Sequence, residues 1–348
     1  MPQRFLNPTS GLFTRSATIN PGERVLLVNS DDSALAEWVV KQAGSVIALH
    51  PSGRALKGLG RVKGVEISPA VFPDPNVHGV ADVALFEIPK GREYVRAYLW
   101  TVAQTLKPGG LLYLGGANDA GAKTAIKDAD ELFGRAAVLG YKSSERVAVA
   151  IRPDTLQLPA EWDRPAEAQT RQIVRPDGEI TIVTQPGVFS WDHLDKGTEL
   201  LLDHLGVKAG DEVLDIGCGY GIIGIAAARV GANVVMVDDD LLAVRCAQGT
   251  VAANGLEAQC TVIASDVTSE IHGRKFDLVL SNPPFHKGLD VTTGITQRLV
   301  NEAADVLKPG GRLRIIANRF LPYDRMLRER FGHVQRVAET ISYYVLEV

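Results

Sequence analysis

The stretch EVLDIGCGYGIIGIAAARV, residues 212–230, decides the fold. An apolar run carrying Asp215 breaks at Gly217 into a turn of three alternate glycines, Gly217, Gly219 and Gly221. Small and branched residues then recur at helical spacing, so the stretch reads as strand, tight turn and helix. The segments that follow keep the alternation. ANVVMVDDD is a strand ending in acids, and LLAVRCAQGTVAANG is a helix stopped by Gly255. CTVIASD and FDLVLSN are strands, ITQRLVNEAADVLKPGG is a helix with a turn, and RLRIIAN is a further strand. Continuous apolar strands separated by helices predict a mostly parallel sheet covered on both faces.

The first half of the chain repeats this outline. LKPGGLLYLGGAN from Leu106 matches LKPGGRLRIIAN from Leu307, GERVLLVNS from Gly22 matches GDEVLDIGC from Gly210, and Asp82 of ADVALFEIPK matches Asp277. Three matches in the same order predict an internal duplication, with one copy over 1–160 and the other over 170–348. The proline- and charge-rich segment 150–170 reads as a linker. A hairpin is expected around Pro176-Asp177-Gly178. The copies differ at the turns: VNSDDSA stands where the second has IGCGYGI, and FEIPK where it has SNPPF. The first copy has the strands without the glycines.

The chain has 348 residues, 45% of them hydrophobic, and a formal net charge of −4. That charge argues against a uniformly basic nucleic-acid binder, not against local patches. Two are candidates: Arg54, Lys57, Arg61 and Lys63, and the arginines between Arg312 and Arg330. Either also fits an ordinary solvated surface. No apolar run is long enough to cross a bilayer, and the N-terminal residues lack the apolar core of a secretion signal. Cys218, Cys246 and Cys260 have no zinc-binding spacing, so no metal is expected and a reducing cytoplasm is.

A glycine turn at the carboxyl edge of a strand allows backbone to approach a ligand closely. Asp215 can orient the loop or meet a ligand's ammonium group. Asp238 ends the second strand, where a carboxylate accepts from ribose hydroxyls, and Asp266 ends the third, where it can accept from an adenine amine. Helix capping is the plainer use of such acids. A dinucleotide turn, GxGxxG, would need glycine where Ile222 stands. The tighter acid-x-GxGxG spacing points to S-adenosylmethionine instead. The fourth strand then ends in Asn282-Pro283-Pro284-Phe285. An aromatic exocyclic amine is a poor nucleophile because its lone pair is delocalised. Acceptors aimed at its two N–H bonds hold it with the lone pair facing the methyl group. Asn282 and the Pro283 carbonyl can be those acceptors. The prolines stiffen the loop, and Phe285 can stack on an extruded base. His286 suits binding or positioning. A proline-rich turn with a core phenylalanine is the alternative use of the same residues.

These residues resemble the small-subunit rRNA guanine-N2 methyltransferase family often called RsmC. PGVFSWDHLDKGTELLL, VLDIGCGYG, SNPPFHKG and RIIANRFLPY match that family's elements in order. The resemblance implies two tandem Rossmann-like class I methyltransferase domains with mostly parallel seven-stranded sheets, the first degenerate and without cofactor. It implies S-adenosylmethionine-dependent methylation of the guanine 2-amino group in 16S rRNA, with ribosomal RNA as partner; a monomer without membrane association is expected beside it. Phe189, Ser190, Lys196, Gly197 and Thr198 are then expected at the cofactor's entry side, where a helix start favours a carboxylate. Pro284, Phe285, His286, Asn318 and Arg319 are expected against the substrate. Guanine-N2 methylation of 23S rRNA, and amino methylation of DNA adenine or of a release-factor glutamine, use the same amide chemistry. A non-enzymatic RNA-binding factor would lack the intact GxGxG and NPPF.

Overall fold

A computed structural model describes residues 6–163, 166–176, 178–283 and 289–348, without the side chains of 289–293. The chain divides into two compact units, Met1–Glu167 and Ala168–Val348. The strands of the first are β1 (Arg24–Val28), β2 (Ser45–Leu49), β3 (Val65–Ser68), β4 (Ala81–Glu87), β5 (Leu106–Ala117), β6 (Ala136–Lys142) and β7 (Glu145–Ile151). A hairpin, β8 (Gln169–Arg175) and β9 (Gly178–Thr184), opens the second unit. Then come β10 (Glu212–Ile216), β11 (Asn233–Asp238), β12 (Cys260–Ala264), β13 (Phe276–Ser281), β14 (Leu307–Asn318), β15 (Gln335–Glu339) and β16 (Tyr343–Glu347).

The two seven-stranded sheets have one topology. Their orders are β3-β2-β1-β4-β5-β7-β6 and β12-β11-β10-β13-β14-β16-β15. Six strands of each run the same way, and only the second from one edge, β7 or β16, runs antiparallel to its neighbours. The sheets are therefore mixed at one edge only. In the second unit one face buries Leu214, Ile216, Val235, Val237, Leu313 and Ile315 against Leu299, Val300, Ala303, Tyr323 and Leu327. The last five come from the helices Leu289–Val306 and Tyr323–Phe331. The pleat turns alternate residues, Asp215 among them, to the opposite face.

The duplication extends to individual bonds. In the first unit, Asp82 accepts from the Arg24 amide at 2.7 Å and pairs with Lys107. In the second, Asp277 accepts from the Glu212 amide at 2.9 Å and pairs with Lys308. Gly109 and Gly310 share the same left-handed φ of 77°. Here LKPGG does more than turn: it is the first part of β5 and of β14, irregularly paired with β4 and β13. Segment 152–163 is also less free than a linker. Trp162 is buried, with the Arg96 guanidinium 4.9 Å from its ring centre. Burying a tryptophan outweighs the polar composition around it.

A Cβ on Gly311 would lie 2.9 Å from the Phe276 carbonyl oxygen and 3.0 Å from that of Lys308, both backbone. Gly311→Ala is therefore expected to destabilise the second unit by ~1–3 kcal/mol, seen as a lowered Tm in thermal unfolding.

Candidate functional site

The site lies where β10, β11 and β13 end together. After Ile216 the chain leaves the sheet through Gly217, at φ 73°, and Gly219, at φ 56°. The Gly217 and Cys218 amides reach back to the Val237 carbonyl at 2.8 and 3.1 Å, so the turn is stitched to the end of β11. A Cβ on Gly217 or Gly219 would meet nothing within 4 Å. The two glycines border open space, and the left-handed backbone there favours glycine. Gly221 caps the helix Ile222–Arg229 with no side-chain bond, which leaves amides at that helix start for a ligand.

Three aspartates crowd this turn. Asp215 is fully buried; its Oδ2 accepts from the Gly224 amide at 3.2 Å, while Oδ1 is buried without a partner. Burial pushes its carboxyl up to about 7, and the neighbouring Asp238 charge adds to the effect. Asp238 accepts from the amides of Gly219 and Asp240, both at 2.9 Å, and burial lifts it to about 6. Asp240 caps the helix Leu241–Ala253 and is raised to about 7, by burial first and by Asp238 next. Capping and bracing are thus divided: Asp240 caps a helix, whereas Asp238 braces the glycine turn. Asp266 holds a two-pronged ion pair with Arg298, one contact at 2.9 Å. The expected adenine acceptor thus already has a cationic partner.

At the end of β13, the buried Ser281 hydroxyl donates to the Ile216 carbonyl at 2.8 Å and joins the two strand ends. Asn282 follows. Its Nδ2 donates to Asp195 Oδ2 at 3.0 Å and to Thr198 Oγ1 at 2.7 Å. Its Oδ1 is buried with no partner. Pro283 is buried beside it. Pro284, Phe285 and His286 lie outside the described residues. Asp195 caps the helix Lys196–Leu202 and takes the Thr198 amide at 2.8 Å. Gly197 sits where a Cβ would approach Asp195 Oδ2 at 3.0 Å and Ile316 at 3.1 Å. Lys196 is exposed, Phe189 is half exposed, and Ser190 has a left-handed φ of 50°.

The structure therefore brings Asp195, Thr198 and Asn282 together, and Asp215, Gly219 and Asp238 together. Asn318 accepts from the Phe320 amide at 3.1 Å. Arg319 is tied to the Tyr344 hydroxyl and the Thr340 carbonyl, both at 2.9 Å, which makes it a brace between β14 and the β15–β16 turn. Two residues went unread in the sequence. Asp195 could have been found as the acid opening a helix. Phe320 is 89% exposed, and no local pattern distinguishes it from a core phenylalanine. Among the described residues no group could hold a metal ion, and no helix is long and apolar enough to cross a membrane.

Comparison with known proteins bears on this geometry. Residues 179–347 match the methyltransferase small domain family. Over 263 residues the chain is 38% identical to the ribosomal RNA small subunit methyltransferase C of Stutzerimonas stutzeri, covering 75% of this chain and 77% of that one. The Shewanella oneidensis protein of the same name is 32% identical over 97% of both chains. The chain belongs to this family. Its fold also matches the T. thermophilus 16S rRNA N2 methyltransferase RsmC, solved in complex with AdoMet and guanosine. The TM-score is 0.84 at 31% identity, covering 99% of this chain and 92% of that one. The family's fold is thus the expected one, two methyltransferase folds in tandem.

Asp215 yields a prediction about stability. Its raised folded value means that the fold favours the neutral form, so its contribution is full below the unfolded value near 4 and is lost as pH rises through about 7. Asp215→Asn is therefore expected to raise stability at pH 8, by up to ~4 kcal/mol from linkage. The gain should shrink towards zero as pH falls to about 4. Thermal unfolding across that range checks it; an unchanged gap at every pH would refute the burial argument.

Proposed function

We propose that this chain transfers a methyl group from S-adenosylmethionine to the exocyclic N2 amine of a guanosine in 16S ribosomal RNA. The observation that carries the reading is Asn282 Oδ1: a buried acceptor without a partner, at the tip of the strand beside the glycine turn. An acceptor left unsatisfied in the protein suits a donor brought by the substrate. The names of the relatives support small-subunit RNA over 23S RNA, DNA or a release factor, and the name of the T. thermophilus enzyme gives guanosine 1207 as its target. The corresponding guanosine is proposed here.

The residues present fit the cofactor. Its methionine ammonium suits the unpaired Asp215 Oδ1, and its ribose hydroxyls suit spare lone pairs of Asp238 beside Gly217, Gly219 and Gly221. Its carboxylate suits the start of the helix Lys196–Leu202, where the Thr198 amide is already taken by Asp195 and those of Lys196 and Gly197 remain. Phe189 is proposed to border it, and Asp266 to share its lone pairs between Arg298 and the adenine. When bound, S-adenosylmethionine supplies an electrophilic methyl group on a positively charged sulfur. The chain's own work is to hold the amine. Asn282 Oδ1 accepts one N–H, the Pro283 carbonyl accepts the other, and the nitrogen lone pair is left facing the methyl group. The surplus proton leaves the methylated amine to water. Pro284, Phe285, His286 and Asn318 are proposed to border the guanine, with Arg319 bracing that rim.

The first unit, close to the expected 1–160, is proposed to be a copy without cofactor or methyl transfer. By strand register, Leu27 stands where Asp215 does, Asn29 at Gly217, His50 at Asp238 and Glu87 at Asn282. Asn29 keeps a left-handed φ of 56°, and its amide still reaches the Leu49 carbonyl. Asp32 caps the next helix through the Ala34 and Leu35 amides, so the amides open to a ligand in the second unit are engaged here. Its proposed role is fold support and RNA contact through Arg54, Lys57, Arg61 and Lys63. The enzyme is proposed to work as a cytoplasmic monomer.

Incubation with labelled S-adenosylmethionine and small subunits, followed by mapping of the modified base, tests the reaction; label on 23S rRNA or on protein would overturn it. Asn282→Ala should lower kcat about 100-fold, ~2.7 kcal/mol, with cofactor affinity nearly unchanged. Titration calorimetry should find one cofactor per chain, and a second site would end the idle-copy reading. Phe320→Ala should weaken RNA binding by ~1–3 kcal/mol if its ring stacks on a base. Replacing the four basic residues by glutamine should instead flatten the salt dependence of RNA binding.

A further inference from the structure

An asparagine can point either end of its amide at a substrate. Only the carbonyl end accepts from an amine; the other end would set N–H donors against N–H donors. Nothing within Asn282 decides between the two. The decision comes from the start of the helix Lys196–Leu202. An ionised Asp195 has only acceptors, and its Oδ2 takes the Thr198 amide at 2.8 Å, the Thr198 hydroxyl at 3.2 Å and Asn282 Nδ2 at 3.0 Å. Because Thr198 Oγ1 gives its proton to Asp195, it accepts the other Asn282 N–H at 2.7 Å. Turning the amide over would break both bonds and press Oδ1 against a carboxylate.

We propose that Asp195, with Thr198, is a positioning residue that fixes the polarity of Asn282 and so keeps Oδ1 aimed at the substrate amine. The inference rests on the reading of Asn282 as the amine's acceptor. The first unit supplies an internal contrast. There the helix cap is Asn7 and the strand-end residue is Glu87, with Asn7 Nδ2 3.5 Å from Glu87 Oε1. The cap is the donor and the strand end is the acceptor. An acid on the cap and an amide on the strand end therefore occur together in the unit that has the glycine turn, and the reverse pair occurs in the unit that lacks it.

The experiment uses the full chain and three substitutions. Asp195→Ser keeps a capping residue for the helix but is too short to hold Asn282. Thr198→Val removes the other acceptor. Asp195→Asn retains an acceptor oxygen without the charge. Steady-state methylation of small subunits, cofactor calorimetry and thermal unfolding are measured for each. The first two variants should lose ~10-fold or more in kcat, with KM for RNA and cofactor Kd within about threefold of wild type. Asp195→Asn should recover to within about fivefold of wild type. In an Asn282→Ala background, Asp195→Ser should cost nothing further, since the group it positions is gone. A kcat within threefold of wild type for Asp195→Ser overturns the proposal. So does a loss that multiplies with that of Asn282→Ala, or a loss of cofactor affinity equal to the loss in kcat. If wild type itself fails to methylate guanine N2, it is the proposed function that falls, and the variants are not its cause.

Discussion

The amides of Gly217 and Cys218 both reach the Val237 carbonyl, and the rest of the site depends on that pair of bonds. They force the chain to leave β10 sideways, over the end of β11, instead of continuing the strand. A left-handed turn is needed to do so, and the space outside it stays open because no side chain grows there. The same stitch brings Asp238 under Gly219 and turns the helix Ile222–Arg229 so that the Gly224 amide meets Asp215. One backbone constraint thus places a buried acid, a brace and a helix start around one crevice. β13 joins through the Ser281 hydroxyl on the Ile216 carbonyl, which fixes where Asn282 begins.

The electrostatics of the crevice follow from its burial. Three carboxyl groups sit close together, two of them lifted to about 7 and one to about 6. An apolar surround raises all three, and each remaining charge opposes ionisation of the next. Such a cluster favours a ligand that carries a positive charge and hydrogen-bond donors. Clustered carboxyl groups with raised values are a recurrent feature of functional sites.

Much of the fold is legible in the sequence, because strand and helix periods differ and the glycine turns punctuate them. The duplication is legible too, since LKPGG fixes a bulged strand by backbone geometry alone and so recurs nearly letter for letter. Asp215, Asp238 and Asn282 are legible because each stands at, or one residue from, the end of a strand at the same edge. What escaped the sequence is pairing across distance. Asp195 lies 87 positions from Asn282, and its contact depends on how one short helix packs on β14 and β16. The Asp266–Arg298 pair and the burial of Trp162 are of the same kind: each is set by which faces meet, and periodicity does not encode that.

At the matching edge of the first unit the polar groups are engaged differently. Asp32 closes over the helix start, Asn29 donates to the Glu87 carbonyl, and the Asn7 amide is fastened to Asp32. These bonds contribute to the unit's own cohesion, although the Ser30 hydroxyl and Glu87 Oε2 are buried without a hydrogen-bond partner. Replacing Asn29 by glycine would remove its bond to the Glu87 carbonyl. A single substitution that made this edge resemble the glycine turn would therefore cost the unit a bond of its own.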